Sequence, residues 1–309
     1  MPMTPYFSII VPFHNAEGND RSGMLDALLA SIPDRDDLEV ILVDDHSRIT
    51  PRWHPRGAGF SQTRIRLLHA PPTSRYGGMA RNHGLDHADG THILFADSDD
   101  LFDPDALSAV LDAVVADVVA EHEGNDAPTD LWLFRSGSFR PDGSDGTRHH
   151  HTEGLINTLL LSGDGDALVR YRSPCGKIIR AEFIAANNLR FSSHRVVDDV
   201  LFGTALALAQ PRWNVVDRVA YHIREGHPSL TTMICGQAIS ERFSVARAAH
   251  DLLVEAGRRD LATSLHHKAR QYFRSNPTAV TYEMIKSFLL GYPVLPRARA
   301  LFRMRPGGK

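Results

Sequence analysis

The sequence predicts an α/β protein built on a mainly parallel, doubly wound, Rossmann-like sheet with flanking helices, and three observations carry that expectation. Short apolar runs of strand length recur at Phe7–Val11, Val40–Val43 and Ile93–Ala96. They lack strict polar alternation, as strands buried on both faces do. Segments of helical character separate them, an arrangement that joins parallel strands by right-handed crossovers. Two of the runs end abruptly in acid, at Asp44-Asp45 and at Asp97-Ser98-Asp99-Asp100. Open α/β sheets bind ligands in the crevice outside such strand ends.

Phe7-Ser8-Ile9-Ile10-Val11-Pro12 reads as the first strand, stopped by a proline that a strand tolerates at its end. His14 to Glu17 opens a helix running to about Leu29, and Val40 to Val43 forms the second strand. Ile65 to His69 is a third, shorter strand, and Arg75-Tyr76-Gly77-Gly78 is a flexible turn leading into a helix over Met79 to Leu85. His92 to Ala96 is the fourth strand. Asp103 and Pro104 then supply an N-cap and a first-turn proline. Leu107, Val110, Leu111, Val114, Val115 and Val118 follow at spacings of three and four, so that helix packs one face on the sheet. Ser136 to Gly154 is rich in Gly, Ser and Asp and carries His149-His150-His151 without a matching Cys or His at zinc spacing, which reads as a solvated loop. From Ala238 onward the pattern is helical, through Phe243, Val245, Ala249, Leu252 and Leu253 to Leu261, Leu265 and Tyr272.

Composition narrows the function classes. A chain of 309 residues with 42% hydrophobic content can bury a sizeable core and form one large domain plus an appendage. Lys and Arg total 34 against 37 Asp and Glu, which gives no reason to expect nucleic acid as a partner. Two cysteines, Cys175 and Cys235, are too few for a disulfide framework and fit a reducing compartment. With no signal-like N-terminus and no apolar stretch of membrane-spanning length, a cytoplasmic location is expected. The last stretch from Met284 has no acidic residue and mixes Lys286, Arg297, Arg299, Arg303, Arg305 and Lys309 with Phe288, Leu289, Leu290, Leu301 and Phe302. Such a tail either touches anionic lipid at the inner face of the plasma membrane or packs on its own core or a twin subunit, as in a homo-oligomer.

The acid cluster needs a cation. Asp97 and Asp99 lie two apart, so in extended backbone they share a face and can reach one divalent ion. Carboxylates this close raise one another's pKa, and Mg2+ or Mn2+ relieves that repulsion. The chain has other Asp-x-Asp triplets, at Asp34/Asp36, Asp103/Asp105 and Asp164/Asp166, but only Asp97/Asp99 follows a strand-like run. No G-x-G-x-x-G and no P-loop is present, so phosphate charge on a bound nucleotide must be met another way.

Four ordered blocks then resemble the signature of glycosyltransferase family 2, the inverting enzymes of GT-A fold. They are Ser8-Ile9-Ile10-Val11-Pro12-Phe13-His14-Asn15, Val43-Asp44-Asp45-His46-Ser47, Ala80-Arg81-Asn82-His83-Gly84-Leu85 and Phe95-Ala96-Asp97-Ser98-Asp99-Asp100. Pro174-Cys175-Gly176-Lys177, Asn188-Leu189-Arg190-Phe191 and Val197-Asp198-Asp199-Val200-Leu201-Phe202 resemble the acceptor-side segments of that family. Tyr221-His222-Ile223-Arg224, with Ser229-Leu230-Thr231, resembles its closing segment. The chain departs from the pattern at Cys175-Gly176, where the family has Trp-Asn, and at Asp198, where it has Glu.

The resemblance implies a catalytic unit over residues 1–235, divided into a nucleotide-sugar half (1–104) and an acceptor half (105–235), with a helical appendage over 236–309. It implies that Pro12, Asn15, Glu17 and Asp45 line the nucleoside, and that Asp97 and Asp99 hold Mn2+ or Mg2+ on the diphosphate. Arg81 and Asn82 are expected to face the donor sugar or phosphate, and His222, Arg224 and His227 to close over the diphosphate. Asp199 is expected to take the acceptor proton, its pKa raised by Val196, Val197, Val200 and Leu201; the alternative is that Asp198-Asp199 caps a helix running to Leu208. The implied activity is transfer of a sugar from a nucleotide-sugar donor, a UDP-sugar for choice, to a hydroxyl of a glycan, lipid-linked or cell-envelope acceptor. A sugar-phosphate nucleotidyltransferase would use a similar sheet and metal, but the loop Pro12-Phe13-His14-Asn15 is not glycine-rich. A catalytically silent nucleotide-sugar binding protein would keep Asp45 and Asp99 and tolerate loss of Asp199.

Overall fold

A computed structural model describes residues 5–15, 23–48, 63–124, 127–226, 233–262 and 264–295. Glu17, His227, the segment 229–231 and the tail from residue 296 lie outside the described residues.

In chain order the elements are β1 (Phe7–Phe13), α1 (Met24–Ala30), β2 (Leu38–Asp44), β3 (Arg64–His69), α2 (Tyr76–Leu85), β4 (His92–Phe95), β5 (Leu101–Phe102), α3 (Pro104–Gly124), β6 (Leu131–Phe139) and α4 (His150–Ser162). They continue with β7 (Lys177–Arg180), α5 (Ala181–Ala186), α6 (Asp199–Leu208), β8 (Trp213–Arg224), α7 (Gly236–Glu255), α8 (His266–Tyr272) and α9 (Pro277–Leu289). One sheet runs in the order β3-β2-β1-β4-β7-β6-β8-β5. β1 to β4 pair in parallel, as the alternation of runs and helices predicts. Beyond β4 the sheet is mixed, with β7 antiparallel to both β4 and β6, and β6 parallel to β8.

Side chains of successive strand residues point to opposite faces, and the two faces make two cores. Ile9, Val11, Val40 and Leu42 meet α1 and the Leu107, Val110, Leu111 and Val114 stripe of α3. Ile10, Ile41, Val43, Ile93 and Phe95 meet Ala80 of α2 and Phe202 and Leu206 of α6. A third cluster, Ile239, Phe243, Leu265, Ala269 and Val280, joins α7, α8 and α9. The helical end is tied to the sheet's flanking helices through Val200 of α6 against Val245 and Ala249 of α7.

Local expectations change in four places. β1 continues through Pro12 to Phe13. Ile10 accepts from the Ala96 N–H and Tyr6 from the His92 N–H, so even-numbered residues of β1 face β4. Pro12 is the next such residue, and its missing N–H ends the β1–β4 ladder where the acidic segment departs. His14 and Asn15 are not helical, Asn15 having φ +49°. The glycines expected in a turn at 77–78 lie in the first turn of α2. The histidine tract is the start of α4 and not a solvated loop.

Candidate active site

The acidic segment leaves the C-terminal end of β4 and is held by β8. The Asp97 backbone N–H donates to Tyr221 Oη (2.9 Å), and that hydroxyl donates to Asp100 Oδ2 (2.7 Å). Arg224 donates its backbone N–H to Asp100 Oδ1 (2.8 Å) and its Nε–H to the Asp99 carbonyl (2.9 Å). Asp100 is buried, and burial followed by the charges of Asp97 and Asp99 pushes its carboxyl well above the usual range. Carboxylate oxygens of Asp97, Asp99 and Asp100 lie within 4.8 Å of one another. A hard divalent cation suits this all-oxygen, mutually repelling set.

Arg81 is buried on α2 and spans two carboxylates, donating from Nη1 to Asp198 (2.9 Å) and from Nη2 to Asp97 (2.5 Å). Its guanidinium is therefore committed to acids, where the sequence had it facing donor sugar or phosphate. Asn82 likewise does not present its amide to the cleft. Its Nδ2 donates to the Phe191 carbonyl and its Oδ1 accepts the Phe191 N–H, both at 2.9 Å. The two residues dock the acceptor-side segment on α2. Gly78 permits that docking, since a Cβ there would sit 2.4 Å from the Ser192 carbonyl oxygen and 2.9 Å from Asp198 Cβ.

Asp198 makes no side-chain cap on α6. Val197 precedes it at φ +56°, a conformation that a β-branched residue adopts only where its surroundings hold it. Asp199 opens the helix, and its carboxyl is pushed up to about 6, first by burial and then by the charge of Asp198. Arg81 opposes that rise and Asp97 adds to it, so Asp199 belongs to the same electrostatic cluster as the acid segment.

The turns after β1 and β2, where the sequence expects the nucleoside, are stitched together. The Asn15 N–H donates to Ser47 Oγ (2.8 Å), and Asn15 Oδ1 accepts the Arg48 N–H (2.8 Å). His14 Nδ1 bonds the Asp45 carbonyl and His46 Nε2 the Ser74 carbonyl. Asp45 Oδ1 is buried with no hydrogen-bond partner among the described residues, and burial raises its carboxyl pKa. An orphaned buried acceptor of this kind is costly unless a donor arrives.

His222 sits on β8 opposite Leu101 of β5, its pKa lowered by burial, while Arg224 lies over the Phe139 ring (4.9 Å) and braces the acid segment. Sequence reasoning missed three residues here. Tyr221 sat inside a quoted block without a role, and Asp198 had only that of a helix cap. Buried Lys177 donates to the carbonyls of Tyr171 (2.7 Å) and Ser173, its pKa lowered to about 7 by burial. A lone lysine at the head of an apolar run was the available signal. Elsewhere, His149, His150 and Glu153 place ligand atoms within 4.8 Å of one another, with His149 Nδ1 on Ser138 Oγ (2.7 Å).

The profile of the family described as "Glycosyl transferase family 2" matches residues 8–182. The chain belongs to that family. It is 34% identical over 127 residues to an uncharacterized glycosyltransferase of Haemophilus influenzae, a match covering 41% of this chain and 49% of that one. It thus spans about half the length of that curated relative. Among solved structures, S. aureus TarS 1–349 superposes with a TM-score of 0.62 at 21% identity, over 87% of this chain and 73% of that one. The same protein in complex with UDP-GlcNAc gives 0.63 at 21% identity, over 87% and 74%. The mannosyltransferase PcManGT from Pyrobaculum calidifontis, in complex with GDP-Man and Mn2+, gives 0.52 at 18% identity, over 97% and 79%. These similarities establish a shared GT-A architecture.

Proposed function

We propose that the protein is an inverting, metal-dependent glycosyltransferase that moves a sugar from a nucleotide-sugar, a UDP-sugar in the first instance, to a hydroxyl of a glycan, lipid-linked or cell-envelope acceptor. The carrying observation is the coupling of two acidic groups: the Asp97/Asp99/Asp100 oxygens within 4.8 Å of one another, and Asp199 with a pKa of about 6 that the Asp97 charge helps to raise. Asp97 and Asp99 would hold Mn2+ or Mg2+, which when bound offsets charge on the departing diphosphate. The Mn2+ and GDP-Man of PcManGT and the UDP-GlcNAc of TarS support that assignment.

The chain's own groups have distinct tasks. Asp45 offers its partnerless oxygen to a base or ribose donor, beside Pro12, Asn15 and Glu17. Arg224 and His222 stand on the diphosphate side, and the Arg224 Nη atoms make no hydrogen bond among the described residues. Asp199 accepts the proton of the acceptor hydroxyl as that oxygen attacks the anomeric carbon from the face opposite the leaving group. Arg81 keeps Asp97 and Asp198 in register, and Asn82 holds the segment that carries Asp198 and Asp199.

In this proposal residues 1–235 form the catalytic unit and 236–309 the appendage. Both cysteines are free, which fits the cytoplasmic location that goes with it. No helix among the described residues is long and apolar enough to cross a membrane. Exposed Tyr282, Ile285, Phe288 and Leu289 on α9 support peripheral lipid contact or self-association at that end. Phe288→Glu with Leu289→Glu should abolish co-sedimentation with anionic liposomes if the contact is lipid.

The donor half is tested by thermal shift with nucleoside diphosphates and their sugars, with Mn2+ or with EDTA. UDP and UDP-sugars should stabilise the fold only with metal, by about 2.7 kcal/mol at a hundredfold excess over Kd. A folded protein indifferent to every nucleotide would overturn the proposal.

A further inference from the structure

Three cations gather around the helix that Asp199 opens: Arg172, Lys177 and Lys268, each with a pKa that burial lowers and the Asp199 charge raises. Lys177 anchors the loop Tyr171–Ser173 through its carbonyls and so sets the position of Arg172. Arg172 packs against Gly203, where a Cβ would lie 2.8 Å from both the Arg172 Cα and its carbonyl oxygen. Gly203 is four residues after Asp199 on α6, hence on the same helix face. The Arg172 Nε is buried with no partner, and the side chain makes no ion pair among the described residues.

The appendage completes the cluster. Glu241 of α7 accepts the backbone N–H groups of Arg195 (3.0 Å) and Val196 (3.2 Å), gripping the segment that leads to Asp198 and Asp199. Arg242, next on α7, lies over the ring of Tyr272 (5.0 Å), and Tyr272 is four residues from Lys268 on α8. Lys268 is therefore on the α8 face turned to Arg242. Burial, then the charges of Arg172 and Arg242, lower the Lys268 pKa, while Asp199 raises it. Lys268 makes no hydrogen bond or ion pair among the described residues, whereas Arg242 already donates to the Met233 carbonyl (2.5 Å). Crowded, half-buried like charges are unfavourable until an anion joins them.

We propose that the acceptor carries a phosphate ester, bound by Arg172 and Lys268 beside Asp199, so that α8 of the C-terminal appendage forms part of the acceptor site. This rests on the glycosyltransferase proposal above. Two uncommitted cations match the dianion of a phosphate monoester, with a planar guanidinium for two oxygens and a compact ammonium for the third. A single carboxylate would leave one of them unmatched.

The test is calorimetric titration of sn-glycerol 3-phosphate, and of glycerol, into the full chain loaded with Mn2+ and UDP. The ester should bind and glycerol should not; Lys268→Gln and Arg172→Gln should each weaken the ester about tenfold while the UDP Kd stays within twofold. Vesicles containing phosphatidic acid form a second arm, run on the Phe288→Glu, Leu289→Glu variant; binding there that Lys268→Gln weakens, without binding of the soluble ester, assigns the phosphate to a lipid-linked acceptor. Equal binding of ester and glycerol, no ester binding in either arm, or ester affinity unchanged in Lys268→Gln overturns the inference. Lys268→Gln keeps the test decisive if Arg172→Gln fails to fold. Failure of UDP to bind in the same cell overturns the donor proposal instead, so the two failures are distinguishable.

Discussion

The two ends of the same sheet treat buried acid in opposite ways. At the N-terminal edge, Glu39 is 0% exposed and fully matched: Ser8 Oγ and the Asp89 N–H donate to Oε1, and Arg64 and Arg66 pair with Oε2. At the C-terminal edge the Asp97 side chain is 44% exposed, with Arg81 as its partner, and Asp99 and Asp100 crowd beside it. The first arrangement holds β1, β2 and β3 together. The second stores repulsion, and Asp45 Oδ1 adds an acceptor with no donor among the described residues. A protein stabilises itself with the first kind of site and binds with the second.

That contrast can be broken from either end. Asp199→Asn should reduce turnover by roughly 10³–10⁴-fold while leaving UDP affinity intact, because only the proton acceptor is lost. Unchanged turnover in a steady-state assay would remove Asp199 from the mechanism. Asp99→Asn should reduce turnover by roughly 10²–10³-fold and abolish the metal-dependent thermal shift with UDP, yet leave the melting temperature of the unliganded protein equal or higher. Glu39→Gln should do the reverse: denaturant unfolding should show a loss of about 2–3 kcal/mol, below the full cost of a buried pair because Arg64 is half exposed, with kcat retained per folded molecule.

The smallest effect is in the pH profile. Asp199 has a native pKa of about 6 against an ordinary value of 3.8, so between those values the native state holds more protons than the unfolded one. Its contribution to stability is full below about pH 4 and is lost as pH rises through about 6. Turnover moves oppositely, rising across the same window as the base ionises. Asp199→Asn should flatten the stability profile and raise the melting temperature near neutrality by roughly 2–4 °C.

Much of the N-terminal half of the fold was legible because its signals are local. The runs that became β1, β2 and β4, and the stripe that became one face of α3, are patterns within a few residues of each other. Asp97 and Asp99 stood out from the other Asp-x-Asp triplets by the strand before them. Less visible was anything depending on distant segments. The Arg81–Asp198 pair spans 117 residues and the Tyr221–Asp100 bond 121. The glycines of α2 look like a turn until the carbonyl of Ser192 is seen against Gly78. Lys268 drew no reading from the sequence; only the ring of Tyr272 beside Arg242 shows that its face of α8 turns toward α7.

Sequence alone therefore determined which strands are buried, where the acids emerge and which family the blocks resemble, since hydrophobic period and strand-end chemistry are written in neighbouring residues. Only the tertiary structure decided how those acids divide their work. Arg81 holds Asp97 and Asp198 by a long-range ion pair, Asp100 is turned inward by Tyr221 and Arg224, and burial among distant segments gives Asp199 a pKa suited to accepting a proton near neutrality.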